Sequence, residues 1–290
     1  MGLKCRAVCR APLSQLVVGC TSLLFLATAC TENGTPPQLD AYVYPSAPGL
    51  TRCETGSRPG LAGAIDGKVS TDGIRYMVRT PSNYDPTFAH PLLIVYAPAG
   101  QGRWASERFT GFTTAATGAG FVVVYADHLP LNIPAIERLG TIPTLVAKEW
   151  CIDEKRVFAT GHSDGGTASL ALAVLEKTKK IPAAVAPSAA GWTGKDLESF
   201  QCPDSIPVMI MHGKNDALFP GWGAQTSAWW AGCNHCDVTK TKKVEGGCVA
   251  YQDCAANGPT LYCEGVGTHR DWPNLNRVML EFFAHPEKFL

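Results

Sequence analysis

The chain has no surplus of either charge. Lys and Arg total 25 and Asp and Glu total 25 in 290 residues, and no basic stripe gathers one sign, so the electrostatic footprint of a nucleic-acid binder is missing. Beyond the first thirty residues there is no run of about 18 apolar residues, which excludes a membrane-spanning helix there. Internal repeats are absent as well, which excludes a stacked-repeat architecture. What remains is an ordinary globular composition: 46% hydrophobic residues in a length that suits one large α/β domain or two small ones.

The first thirty residues differ from the rest. Lys4, Arg6 and Arg10 precede an apolar stretch over 16–29, the pattern of an export signal. It ends Leu26-Ala27-Thr28-Ala29-Cys30, similar to a bacterial lipoprotein cleavage box in which Cys30 would carry the lipid. Plain cleavage nearby is the alternative, and a box at Cys20 would leave almost no apolar segment before it. Residues 31–65, rich in Thr, Pro, Gly and Ser, read as a flexible tether, and residues 66–290 as the catalytic domain. Any membrane contact would then run through the N-terminal lipid alone, and the expected exported protein is a monomer.

Cysteine fits that compartment. Apart from Cys5, Cys9, Cys20 and Cys30, an even set remains: Cys53, Cys151, Cys202, Cys233, Cys236, Cys248, Cys254 and Cys263. In an exported chain such a set reads as disulfides stapling the loop-rich C-terminal stretch, with the pairing left open. The rival is a metal site using Cys233, Cys236, Cys248 and Cys254, which the irregular second spacing disfavours.

Apolar strand-like runs at 74–79, 91–96, 121–126, 157–160, 183–186 and 208–212 alternate with helical ones at 105–119, 133–150, 167–180, 226–231 and 275–284. Near-continuous Val, Ile and Leu in the second and third strands implies burial on both faces. The fold class is therefore α/β, a mostly parallel central sheet with helices on both faces.

Within that frame, 157–166 reads Val-Phe-Ala-Thr-Gly-His-Ser-Asp-Gly-Gly: an apolar strand, a serine between glycines, then a helix. This is the pattern of a nucleophile elbow, with Ser163 lifted out of the sheet top. A serine hydroxyl needs an adjacent base to attack at neutral pH. Ligands in such sheets bind beyond the carboxyl ends of strands, so partners should follow strands directly. Asp216 follows the strand at 208–212 and is the candidate orienting acid, against the bland alternative of a turn aspartate or helix cap. His269 follows 261–264 in a glycine-rich loop and is the candidate base. Among its rivals, His212 reads as structural and His162 as pointing away from the site, while His235 lies among cysteines. His90, His128 and His285 are read as lacking a strand-end loop. The backbone N–H groups of Asp164 and Ala99 are the candidate oxyanion donors, because Pro98 has none. Trp192 and Trp222 are candidates for lining the cleft, with core packing as the alternative. No cofactor and no metal is called for by this constellation.

Taken together, Pro81-x-x-Tyr84, Cys151-Ile152-Asp153-x-x-Arg156-Val157, Gly161-His162-Ser163-Asp164-Gly165-Gly166, His212-Gly213-x-x-Asp216 and His269-x-x-Trp272-Pro273 resemble the polyhydroxybutyrate depolymerase and feruloyl esterase group of secreted α/β-hydrolases. The resemblance covers about 70–285. It implies the α/β-hydrolase fold, with Ser163, Asp216 and His269 as nucleophile, acid and base toward a polysaccharide-linked or polyester substrate. Two departures stand out. Ala97-Pro98 replaces the family's usual His-Gly, and one extra residue separates His269 from Trp272. A surface lipoprotein that keeps the fold without catalysis, or a small serine peptidase, are the other functions such a chain would carry.

Overall fold

The computed structural model describes residues 37–45 and 51–290. The export signal, Cys30 and parts of the expected tether lie outside the described residues. A ten-stranded sheet organises the rest. Its strands are β1 (Ala64–Val69), β2 (Arg75–Arg79), β3 (His90–Tyr96), β4 (Val122–Ala126), β5 (Ile152–His162), β6 (Ala184–Ser188), β7 (Val208–Gly213), β8 (Asp237–Lys243), β9 (Val249–Gln252) and β10 (Thr260–Gly265). They lie in the order β1-β2-β4-β3-β5-β6-β7-β10-β9-β8. The block from β4 to β10 is parallel, while β1 and β2 on one side and β9 and β8 on the other add antiparallel margins.

The central strands are apolar on successive residues because both faces are covered. Leu92, Ile94 and Tyr96 of β3 belong to one core cluster and Leu93 and Val95 to another. On the first face pack α3 (Ile133–Leu139), α4 (Ile142–Glu149) and α5 (Asp164–Val174), with Leu197 of the one-turn α6 (Gly194–Leu197) and Trp230 of α7 (Trp222–Cys233). The second face is closed by Ala116 of α2 (Thr113–Gly118) and by Met279, Phe282 and Phe283 of α8 (Asn276–Ala284), beside α1 (Arg103–Thr110).

Three expected helices change shape. The run at 105–119 breaks into α1 and α2 because Gly111 takes the left-handed conformation (φ 60°) and caps α1. The run at 133–150 breaks at Gly140 and Thr141, where Pro143 sits in the first turn of a new helix. The helix after Ser163 ends at Val174 instead of reaching Lys180.

Residues 37–45 and 51–63 form no helix or extended strand, yet they are fastened to the domain. Asn83 exchanges hydrogen bonds with the Tyr42 backbone, Asp40 N–H donates to Thr117 Oγ1, and Tyr44 packs edge-on against Phe88. Cys53 is bonded to Cys151 at the start of β5. The described parts of the expected 31–65 tether therefore lie on the body, and β1 begins within that range. The remaining pairs are Cys202–Cys233, Cys236–Cys254 and Cys248–Cys263. All four thiols of the rival metal site are thus consumed in disulfides.

Candidate active site

β5 delivers Ser163 to the top of the sheet in a backbone conformation rare for a non-glycine residue, φ 55° and ψ −120°. The glycines around it are required by contact. A Cβ on Gly161 would stand 2.5 Å from the Gly165 carbonyl carbon, and one on Gly165 would stand 2.0 Å from the Tyr96 oxygen. Strand and helix approach so closely here that no side chain fits, which leaves the serine at a sharp bend with its oxygen exposed to the cleft.

The acid arrives on the loop after β7. The Asp216 side chain is fully buried, and its Oδ1 accepts the N–H groups of Leu218 and Phe219, each at 2.9 Å. Its Oδ2 accepts His269 Nδ1–H at 2.8 Å. Burial by itself would raise this carboxyl, but the Phe219 N–H, the His269 ring and the Leu218 N–H outweigh it and hold the group below the usual carboxylate range.

β10 pairs parallel with β7 and so brings His269 beside that acid. Asn215 N–H donates to Gly267 O, and Asn215 Nδ2 donates to Val266 O, lacing the two loops together. His269 Nε2 then accepts the Ser163 hydroxyl at 2.9 Å, so Ser163, His269 and Asp216 form one continuous relay. The residue inserted before Trp272 also finds a place. Asp271 Oδ2 accepts the Thr268 N–H and hydroxyl, closing a tight turn around His269.

Beside the relay opens a cavity of about 490 Å³, lined among others by Ser163, His269, Ala99, Phe109, Leu218 and Arg270. In the loop after β3, Gln101 N–H donates to Pro98 O and Gly100 N–H to His128. Of the N–H groups at 98–101 only that of Ala99 has no acceptor among the described residues, and Asp164 N–H, first in α5, has none either.

The two tryptophans go elsewhere. Trp192 stacks on Phe200 at 5.3 Å and lines a separate cavity of about 180 Å³ with Leu131 and Ile136. Trp222 stacks on Phe219, whose ring forms a T-shaped pair with His269 at 4.7 Å between centroids, so Trp222 lies behind His269 without bordering the cavity that holds Ser163.

Two histidines are placed differently from the sequence reading. His162 does not point away: it lines the Ser163 cavity, and its Nε2–H donates to the His269 carbonyl at 2.7 Å. Burial foremost lowers its pKa to about 4. The ring is therefore neutral near pH 7, and its Nδ1 accepts from Ser188 Oγ at 3.1 Å. His128 does follow a strand end, two residues after β4, and reaches Asp164. The signal for it was the end of the Val-Val-Val-Tyr-Ala run, a strand terminus on the same edge of the sheet as the others. Among the described residues no group of three or more His, Cys, Asp or Glu is arranged to hold a metal.

No family model matches the chain. It is similar to feruloyl esterase C from Emericella nidulans, 25% identical over 232 residues that span 75% of this chain and 83% of the relative. Among solved structures it resembles an acetyl xylan esterase from Aspergillus awamori (TM-score 0.57, 15% identity, 81% of this chain and 98% of the other). It also resembles an S-formylglutathione hydrolase from Staphylococcus aureus (TM-score 0.53, 14% identity, 76% and 96%). Strand order, elbow and these likenesses agree that the chain has the α/β-hydrolase fold.

Proposed function

We propose that this chain is an exported serine carboxylic-ester hydrolase working through an acyl-Ser163 intermediate. The observation that carries it is the Ser163–His269–Asp216 relay, at 2.9 and 2.8 Å, opening on a cavity lined in part by Ala99, whose N–H has no acceptor among the described residues. In this reading His269 takes the Ser163 proton as the oxygen attacks the ester carbon. Asp216, kept ionised, stabilises the imidazolium. The Ala99 and Asp164 N–H groups receive the charge that develops on the carbonyl oxygen. His269 then protonates the departing alcohol, and the same base draws a proton from water to release the acid and restore Ser163.

The similarity to proteins named feruloyl esterase and acetyl xylan esterase favours esters on plant polysaccharide, and the sequence resemblance adds polyhydroxyalkanoate. Release of acid from feruloylated polysaccharide, acetylated xylan and polyhydroxybutyrate, measured side by side, selects among them. The four disulfides favour an oxidising compartment, and lipidation at Cys30 is the proposed anchor, testable by labelling with an alkynyl fatty acid.

Ser163→Ala should reduce turnover of 4-nitrophenyl acetate at least about 10³-fold while the melting temperature stays close to that of the parent. Retained turnover in that variant would remove Ser163 from the chemistry. Asp216→Asn should cost about 10²- to 10⁴-fold by leaving His269 in the wrong tautomer.

A further inference from the structure

We propose that His128 is a positioning residue that sets the oxyanion site, an inference that rests on the ester-hydrolase reading above. β4 lies beside β3, so the residues after each strand meet at the sheet top. There His128 touches both walls of the site. Its backbone N–H donates to Gln101 O at 3.2 Å, its Nδ1 accepts Gly100 N–H at 3.2 Å, and its Nε2 lies 2.9 Å from Asp164 Oδ2. Gly100 follows Ala99, and Asp164 follows Ser163, so one imidazole holds the neighbour of one proposed donor and the residue that carries the other.

The protonation state follows from the partners. Gly100 can only donate, so Nδ1 must present its lone pair, and Nε2–H is then the donor to Asp164. The carboxylate next in sequence is not a competitor, because Asp127 Oδ1 accepts Arg103 N–H while its carboxylate pairs with Arg75 and Arg103. Those contacts root 101–103 against the end of β4, leaving Ala99 and Gly100 as the span that His128 must orient. By binding Gly100 N–H and leaving Gln101 N–H to Pro98 O, the arrangement leaves Ala99 N–H as the one donor at 98–101 without an acceptor among the described residues. The imidazole makes no hydrogen bond to Ser163, which separates its role from that of His269. The loop carries Ala97-Pro98 in place of the resembled family's His-Gly, and the side chain that binds it here, His128, comes from outside the loop.

A thionoester test isolates this role, since sulfur in place of the carbonyl oxygen gains little from oxyanion donors. For the parent, Ser163→Ala, His128→Phe and His128→Asn, kcat/KM is measured with 4-nitrophenyl acetate and with 4-nitrophenyl thionoacetate. His128→Phe keeps the ring volume without an acceptor. It should lower the ester rate about 10- to 100-fold and leave the thionoester rate within about twofold. His128→Asn, whose Oδ1 stands where Nδ1 stood, should recover most of the ester rate. Equal losses on both substrates, or no loss on the ester, would overturn the proposal. Nitrogen-15 NMR of the parent imidazoles reads the hold directly: His128 should be bare at Nδ1 and protonated at Nε2 at neutral pH, and the opposite tautomer would overturn it. If the parent shows no Ser163-dependent turnover, the ester-hydrolase reading fails while the tautomer still decides whether His128 holds Gly100.

Discussion

Ser163 and His162 are adjacent, yet only one of them was assigned to the site by sequence reasoning. Strand alternation argues that neighbours face opposite ways, which is why His162 reads as turned away. The argument breaks at the elbow, because the chain bends at Ser163 and the loop after β10 descends onto the His162 ring, giving the hydrogen bond to His269 O. His162 also carries a pH signature. Burial lowers its pKa to about 4, below the ordinary histidine value near 6.5, so as pH falls the unfolded chain takes up the proton first. Its contribution to stability is full above the ordinary value, is lost between about pH 6.5 and 4, and changes little below that. The shift corresponds to roughly 3 kcal/mol at most. His162→Phe should therefore flatten the fall in unfolding free energy between pH 7 and 4, measured by urea titration. His90, also lowered chiefly by burial, keeps its own share in that variant.

At the level of elements, the buried parallel strands were legible because burial on both faces writes an unbroken apolar run. The margins were not. β8 reads Asp-Val-Thr-Lys-Thr-Lys-Lys and is almost wholly exposed, and β1 has no buried residue, so neither carries an apolar pattern. Contacts between elements were equally silent. Arg79 of β2 is fully buried, with Glu107 of α1 bonded to its Nε and Nη2 at 2.7 and 2.9 Å and Asp66 of β1 to its Nη1 at 2.8 Å. Nothing in the spacing of 79 and 107 announces a pair. Removing one partner of a buried ion pair strands the other charge. Glu107→Ala should therefore lower the unfolding free energy by about 3–5 kcal/mol, while Asp66→Ala, whose carboxylate is partly exposed, should cost less. Denaturant melts of the two variants give the comparison. Two members of the relay were legible for the same reason as the strands: Ser163 and Asp216 sit just past strands written as apolar runs, whereas 260–265 was not among the expected strands and His269 was found through its glycine-rich loop.

Over the described residues the chain wraps a single sheet with two cores, and the covalent cross-links there divide into two kinds. Cys53–Cys151 ties a segment before β1 to the start of β5, closing a long excursion that contains the first four strands. The other three lie between Cys202 and Cys263, a stretch whose outermost strand, β8, is almost wholly exposed. The even cysteine count was visible in the sequence, but the partners were not, because pairing depends on strand register. Tyr262 faces Val249 across β9 and β10, which sets Cys263 opposite Cys248.

That register bears on the order in which thiols reach the oxidant. A chain delivered N-terminus first shows no cysteine between Cys53 and Cys151, and none between Cys202 and Cys233, so the next cysteine to follow Cys53 or Cys202 is its native partner. Cys236 meets Cys248 before Cys254, however, and pairing with that next cysteine would lock in the wrong bond. Oxidative refolding of the reduced chain, trapped and mapped by mass spectrometry, should accumulate a Cys236–Cys248 species, and a disulfide isomerase should shorten its lifetime. Native pairs alone at every time point would mean that β9 and β10 align before oxidation. On this expectation the C-terminal margin of the sheet reaches its native pairs only through exchange of a first-formed bond, whereas the N-terminal clasp asks only for an oxidant.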